Sequence, residues 1–329
     1  MPSVLFWEGV GGGTAHYRCR TPGASLERRG WDVHYVVDGT IPDTADVVVL
    51  QRVMRPDTPD IIRSLQAAGA VVVYDIDDLY DAIPSYNPAS SEIRDPDIAL
   101  LHESLAAADL VTVSTDELAD AYGRFGPVAV LPNYLDPDIW TGNDKYRRLR
   151  TDIHVGWLGS ARWRGGDLEL LRPWLASWLK SHPNVRFVAA GSDESLLGDL
   201  GVGGFVCPPA RDHVRPYEHL PAMLAWFDIG LVPLTFNRFN ESKSWCKGME
   251  YNAAGVPAVA SPSREYRKFI EPGVNGYLAR DWPSALDRAL DNLDTLRAGA
   301  KRTAERYVID RHIRRWVDAY ESCYQLARG

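Results

Sequence analysis

Two short stretches, Val47-Val-Val-Leu-Gln51 and Val71-Val-Val-Tyr74, are apolar at consecutive positions rather than at alternate ones. A strand with one wet face alternates, whereas a continuous β-branched run has both faces covered, as in a parallel sheet packed between helices. Similar runs predict strands at Ser3–Trp7, Asp32–Val37, Leu110–Val113 and Val128–Leu131. Amphipathic segments at Arg18–Arg29, Pro59–Ala68, Pro96–Ala107 and Glu117–Tyr122 lie between them and read as helices. Strand and helix in strict alternation specify a doubly wound α/β unit.

The rhythm breaks at Leu131–Asp152, which is rich in Pro, Asn, Asp and Gly and reads as a connection between domains. It then restarts with strands at Ile153–Leu158, Val185–Ala190, Ile229–Pro233 and Pro257–Ser261. Helices are expected over Asp167–Ser181, Tyr217–Trp226 and Trp282–Ala298, and from about Ser242. A chain of 329 residues is long for a single core. The expected organisation is a first Rossmann-like domain over 1–135, a linker over 136–152, a second over 153–305 and a terminal helix over 306–329. The basic linker residues Lys145, Arg147, Arg148 and Arg150 read as a solvated face, with a membrane surface as the other reading.

Lys and Arg number 36 against 44 Asp and Glu, and the net charge of -8 disfavours a protein built to grip nucleic acid. Cys19, Cys207, Cys246 and Cys323 form no CxxC pair, so neither a zinc site nor a disulfide framework is expected. No apolar run reaches the length of a membrane span, and the first residues lack the basic start of a secretion signal. A cytoplasmic location is the expectation.

The chemistry concentrates in "FNESKSWCKGMEYNAAGVPAVAS" (Phe239–Ser261). If one helix starts near Ser242, Lys243, Lys247 and Glu250 fall at i, i+4 and i+7 on one face. Ser242 or Ser244 serves its first turn, and Gly255-Val-Pro257 ends it. A helix starting at the carboxyl end of a strand offers free N–H groups and partial positive charge to a phosphate. Two lysines can neutralise a diphosphate, and a carboxylate can accept both hydroxyls of a ribose diol. On spacing alone, an exposed helix with a Lys–Glu ion pair worth ~0.3–0.5 kcal/mol accounts equally well for the pattern.

Two further clusters stand at strand ends. "EGVGGGTAHYR" (Glu8–Arg18) places three glycines where backbone can approach a ligand closely, although a plain flexible turn needs them too. "VVVYDIDDLYD" ends a strand with Asp75, Asp77 and Asp78. An Asp-x-Asp metal site, a loop cap and recognition of an acceptor hydroxyl are its three readings, and the last is favoured, with Asp77 and Asp78 as its carboxylates.

The Phe239–Ser261 segment resembles the donor-site segment of GT-B glycosyltransferases, close to the retaining family 4 group, where FNxxKSxxKxxEYxAxGxPVVAS recurs. Four further stretches resemble that family in the right order: "GGGTAHYRCRTPGASLERRGWDVHYV", "ADLVTVSTDELADAY" with "VAVLPNYLD", "DIHVGWLGSARWRGGDLELL" and "FIEPGVNGYLA". The resemblance implies a GT-B fold, with two Rossmann-like domains facing a cleft and a last helix crossing back to the first. It implies transfer of a hexose-type unit from a nucleoside diphosphate sugar to an acceptor hydroxyl, with retention; the two-domain pattern and the lysines of the donor segment argue against a metal cofactor, because cations on the protein make one redundant. Lys243, Lys247, Arg164 and Asp77 take the catalytic roles. Gly12, Gly13, Gly159, Ser160, Arg162, Ser244 and Glu250 hold the donor, with Gly11 beside them. His16, Tyr17, Arg18, Asp75 and Asp78 face the acceptor.

Two positions depart from the family. Counting eight back from Glu250 reaches Ser242 rather than a second Glu, and Trp157 stands where an Arg is common, leaving Arg162 or Arg164 to supply that cation. A non-catalytic clamp for a nucleotide sugar or glycan is the competing function, and a DNA-base glycosyltransferase the competing enzyme. Protein, metabolite, glycan and modified base all stay open as acceptors.

Overall fold

The computed structural model describes residues 3–36, 45–141, 150–191, 195–207 and 216–328. Val37, the expected end of the second strand, and linker residues Lys145, Arg147 and Arg148 lie outside them.

Among the described residues two six-stranded sheets form, one from each half of the chain. The first contains β1 (Ser3–Glu8), β2 (Asp32–Val36), β3 (Val47–Gln51), β4 (Val71–Ile76), β5 (Leu110–Val113) and β6 (Val128–Val130), in the order β2-β1-β3-β4-β5-β6. The second contains β7 (Ile153–Leu158), β8 (Val185–Ala190), β9 (Gly204–Val206), β10 (Ile229–Val232), β11 (Ala258–Ala260) and β12 (Gly276–Leu278), in the order β12-β11-β10-β7-β8-β9. Every described strand pair is parallel. β3 and β4 bury every residue, as their continuous apolar runs require.

Each sheet lies between two apolar clusters. Leu5, Leu50, Val72 and Val111 face one side of the first sheet, and Val4, Phe6, Val49 and Val73 the other. Trp316, Val317 and Tyr320 of the terminal helix Arg314–Arg328 join the second of these clusters, so the chain's last helix packs back on its first sheet. Leu135 seals the return by exchanging backbone hydrogen bonds with Tyr307 and Ile309 at 2.8 and 2.9 Å. Among the described residues no helix is long and apolar enough to cross a membrane.

Several helices differ from expectation. The glycine run does not stay a loop: Gly12–Ala15 is already helical and continues through a π-turn, His16–Arg20, into Thr21–Glu27. The segment expected as one helix over Asp167–Ser181 divides into Ala161–Leu168 and Leu175–Ser181. Trp282–Ala298 likewise divides at Asn292. Arg150, read as part of a solvated basic face, instead donates to Asp228 at 3.1 Å and to the Ala225 carbonyl at 3.1 Å, with its side chain only 12% exposed.

Candidate functional site

Parallel strands deliver all their carboxyl ends to one edge of each sheet, and the two edges face each other. Between them lies a cavity of about 460 Å³. Gly13, Thr14, Tyr17, Asp77 and Asp78 line it from the first half, and Gly159, Ser160, Arg164, Lys243, Ser244, Lys247 and Glu250 from the second.

The helix Cys246–Ala253 carries two of these groups, Lys247 and Glu250. Tyr251 seats it on the second sheet, accepting from the Leu158 amide at 3.0 Å and donating to the Leu231 carbonyl at 3.2 Å. A Cβ at Gly230 would stand 2.3 Å from the Tyr251 ring, so only glycine in β10 lets the helix lie this close.

Lys243 is not on that helix, contrary to the single helix expected from Ser242. A separate turn, Arg238–Glu241, is capped by Asn237, whose side chain accepts from the Asn240 amide at 2.9 Å, and the helical geometry lapses before Cys246. Ser242 Oγ donates to the Phe239 carbonyl at 2.8 Å instead of capping anything. Freed from the helix, Lys243 crosses the cleft to an ion pair with Asp78. Its ammonium also stands 4.0 Å from the centre of the Phe239 ring.

Burial governs the charges. Lys247 rests over the Trp157 ring at 4.9 Å, and burial, reinforced by Arg164, lowers its pKa to about 7. Glu250 is 5% exposed, and burial raises its pKa to about 7 against the opposing pull of Tyr17 and Lys247. Tyr17 donates to Glu250 Oε1 at 2.6 Å across the two halves. Burial raises Asp77, with Arg52 opposing; burial also works upward on Asp78, but Lys243 and Arg52 bring it below the ordinary range. Arg164 sits at a kink with φ -130°, its Nη1 donating to Asp167 Oδ2 at 3.2 Å.

Six expected site residues do not line the cavity, among them Gly11, which precedes the first helix and is exposed. Arg18 and Asp75 are spent on one another: the guanidinium donates to both carboxylate oxygens at 3.0 and 2.7 Å, with 1% and 4% of the side chains exposed. Thr112 and Asn133 take their remaining capacity. That closed pair braces the strand ends and leaves neither group for an acceptor. Arg162 points outward, 70% exposed, stacked over Trp163 and 3.9 Å from Glu92, so of the two candidate arginines Arg164 is the one at the cavity. Gly12, with φ +68°, makes the sharp entry to the first helix and is itself exposed. His16 stands behind the wall, stacked at 4.6 Å on Tyr217, and burial lowers its pKa to about 4, so it is neutral at physiological pH.

Residues not singled out from sequence complete the site. Arg52 follows β3 with φ +50°, strained for a non-glycine residue. That turn aims its Nη1 at Thr14 Oγ1, 3.2 Å away, and Asp77, 3.4 Å away. Its place at the carboxyl end of a buried strand was the available signal. Tyr217 was legible only as the first residue of an expected helix, which is in fact a 3-10 turn, Pro216–His219, leading into the helix Leu220–Leu224, and nothing local pointed it at the site. A Cβ on Gly13 would stand 2.0 Å from the Tyr217 hydroxyl. Gly13→Ala is therefore expected to cost about 1–3 kcal/mol through overpacking. Chemical denaturation measures it, and an unchanged midpoint would mean that Tyr217 swings away freely.

Among the described residues no group of three or more His, Cys, Asp or Glu side chains is arranged to hold a metal ion. Asp75, half of the Asp-x-Asp pair, is occupied by Arg18 as described.

No protein-family model and no curated protein sequence matches the chain. Solved structures do. HepE of Anabaena, solved with UDP and glucose, aligns over 98% of this chain and 100% of its own, with TM-score 0.64 and 14% identity. Sucrose-phosphate synthase of Thermosynechococcus elongatus aligns over 100% and 98%, with TM-score 0.69 and 15% identity. The pneumococcal O-GlcNAc transferase GtfA, solved with UDP and GlcNAc, aligns over 84% of this chain and 56% of its own, with TM-score 0.57 and 14% identity. At such identities the likeness is one of architecture, and the architecture is GT-B.

Proposed function

We propose that this GT-B chain is a glycosyltransferase that moves a hexose-type sugar from a nucleoside diphosphate to an acceptor hydroxyl. The observation that carries the reading is the placing of Lys247 and Glu250 on one buried helix, with Arg164 beside them, around a cavity at the strand ends. HepE and GtfA, which share the fold, were both solved with UDP.

In this reading the second half is the donor domain and the first the acceptor domain, with 136–152 joining them. Glu250 accepts from the ribose diol. Lys247 and Arg164 face the diphosphate, Gly159 and Ser160 approach it through the turn after β7, and Ser244 and Gly13 complete the wall. As the bond from the anomeric carbon to the diphosphate oxygen breaks, positive charge grows on the sugar and negative charge on the departing phosphate. Cations fixed in a dry site stabilise that charge without reorganising. No side chain is placed as a nucleophile, and retention through same-face attack belongs to the reading by family resemblance. Asp77, less firmly held than Asp78, meets the acceptor hydroxyl. Tyr17 bridges the two substrates' sides through Glu250, while the Lys243–Asp78 pair ties the two walls together. A metal-independent reaction and a cytoplasmic site of action go with this reading.

A thermal-shift panel of UDP, GDP, ADP, TDP and CMP, alone and as sugar conjugates, with and without EDTA, tests it. A selective shift by one nucleoside diphosphate, kept in EDTA, is expected, together with slow release of that diphosphate from its sugar conjugate. No shift from any of them would overturn the donor site. A shift without turnover would leave a binding clamp.

A further inference from the structure

Tyr86 belongs to the first half, on the segment between β4 and the helix Asp95–Ala107, yet its side chain is seated in the second half. Its ring occupies the space above Gly166, where a Cβ would stand 2.4 Å from it. Its hydroxyl donates to Asp167 Oδ1 at 3.1 Å and accepts from Asn240 Nδ2 at 3.0 Å. Asn240 Nδ2 donates to the same Asp167 oxygen at 2.7 Å, and Thr235 Oγ1 does so at 2.9 Å. Asp167 and Asn240 are each 1% exposed.

The free oxygens of both residues converge on one group. Asp167 Oδ2 accepts from Arg164 Nη1 at 3.2 Å, and Asn240 Oδ1 lies 3.5 Å from the same nitrogen. Arg164 occupies a kink in its helix, and these two acceptors hold its guanidinium. Thr235 of the same half holds both acceptors, its amide and hydroxyl on Asp167 and its carbonyl on Asn240. Among the described residues the one further group on them comes from the first half: the Tyr86 phenol, present only when the halves are docked. We infer that Tyr86 is a positioning residue that aims Arg164 at the diphosphate, making phosphate recognition depend on docking of the two halves. The inference rests on the donor reading above and adds to it the residue through which the first half acts on the leaving group.

The test separates the phosphate contribution from everything else. Calorimetric titration of the intact protein with UDP and with uridine, or with GDP and guanosine or ADP and adenosine if the panel selects those, gives the ratio of the two affinities. Tyr86→Phe keeps the ring on Gly166 and removes the hydroxyl. It is expected to lower that ratio about 3–10-fold, about the net worth of a single buried hydrogen bond because the hydroxyl acts on the phosphate only through Arg164, with nucleoside affinity unchanged. Arg164→Met is expected to lower it further, and Tyr86→Phe added to Arg164→Met to change nothing more, since the tyrosine acts through the arginine. A wild-type ratio near one for every nucleotide would overturn the donor reading itself. A clear wild-type ratio that Tyr86→Phe leaves intact would overturn only the role of Tyr86. Parallel weakening of nucleoside and diphosphate would reduce Tyr86 to a structural contact and overturn it as well.

Discussion

Lys247→Met is expected to slow release of the diphosphate from the selected nucleotide sugar by about 10²–10³-fold, the usual loss when one preorganised charge-stabilising group leaves a site. Lys247 is the cation best placed for this role, because among the described residues it is in no ion pair, Glu250 and Asp167 acting on it only at longer range. Lys243 is already engaged by Asp78, and Arg164 by Asp167. Steady-state rates measure the effect, and a variant that turns over normally would remove Lys247 from the diphosphate site.

The same substitution should abolish a pH dependence. The pKa of Lys247 is lowered to about 7 in the free protein, chiefly by burial. A bound diphosphate restores the charged form, so binding above pH 7 draws in a proton. Affinity for the diphosphate relative to its nucleoside, a ratio from which the titration of Glu250 cancels, is therefore expected to fall as pH rises beyond about 7, by up to tenfold per unit, and to level off in Lys247→Met. The stability sign runs the other way. Between about 7 and the ordinary lysine value of 10.5 the unfolded chain holds more protons, so this group's contribution to stability rises with pH. Lys247→Met relieves the cost of the buried charge below pH 7 and should melt higher at pH 6 than the wild type. Lower melting there would show that the ammonium is better partnered than its surroundings indicate.

Glu250→Gln is expected to weaken nucleoside and nucleoside diphosphate alike by about 10–100-fold, because the ribose diol is common to both and loses its charged acceptor. That pattern is the reverse of Lys247→Met, which spares the nucleoside. Burial raises the Glu250 pKa from 4.5 to about 7, so its ionised form destabilises the fold. The stability this carboxyl contributes is present below pH 4.5 and is lost as pH rises through 7. Removing the charge should accordingly raise the melting temperature at pH 8 while affinity falls. A variant that binds nucleosides as the wild type does would leave the ribose contact without support.

What could be read from sequence follows the range of the interactions involved. β3, β5, β7 and β8 begin and end where their apolar runs do, because burial on both faces leaves no other pattern. β9 was not foreseen: Gly204–Val206 is a three-residue edge strand, too short and too exposed to carry a period. Lys247 and Glu250 were legible because they are three apart on one helix. Arg18 and Asp75 were legible as chemistry but not as a pair. They are separated by 57 positions, and only the fold shows that each satisfies the other. The break between Ser242 and Cys246 was hidden for the same reason. Propensity allows a continuous helix there, and partners in the other half, Asp78 for Lys243 and Thr115 for the Ser242 carbonyl, pull it open. Tyr86 carried no local signal at all.

Phe239 is 4% exposed and belongs to the apolar cluster of the first sheet, among Leu79, Tyr80 and Tyr122, although the chain around it belongs to the second. Modular exchange between relatives is usually imagined as cutting at the linker and joining one protein's front to another's back. Here such a graft would carry away a bulky plug and leave its socket behind. A hybrid built from a foreign front and this back would set Phe239 against a surface never shaped for it, beside a lysine without its aspartate. For recombination, the working boundary of the front half therefore includes the Asn237–Trp245 loop, far along the chain from the linker. A hybrid that exchanges the loop together with the front should fold where a cut at the linker alone does not.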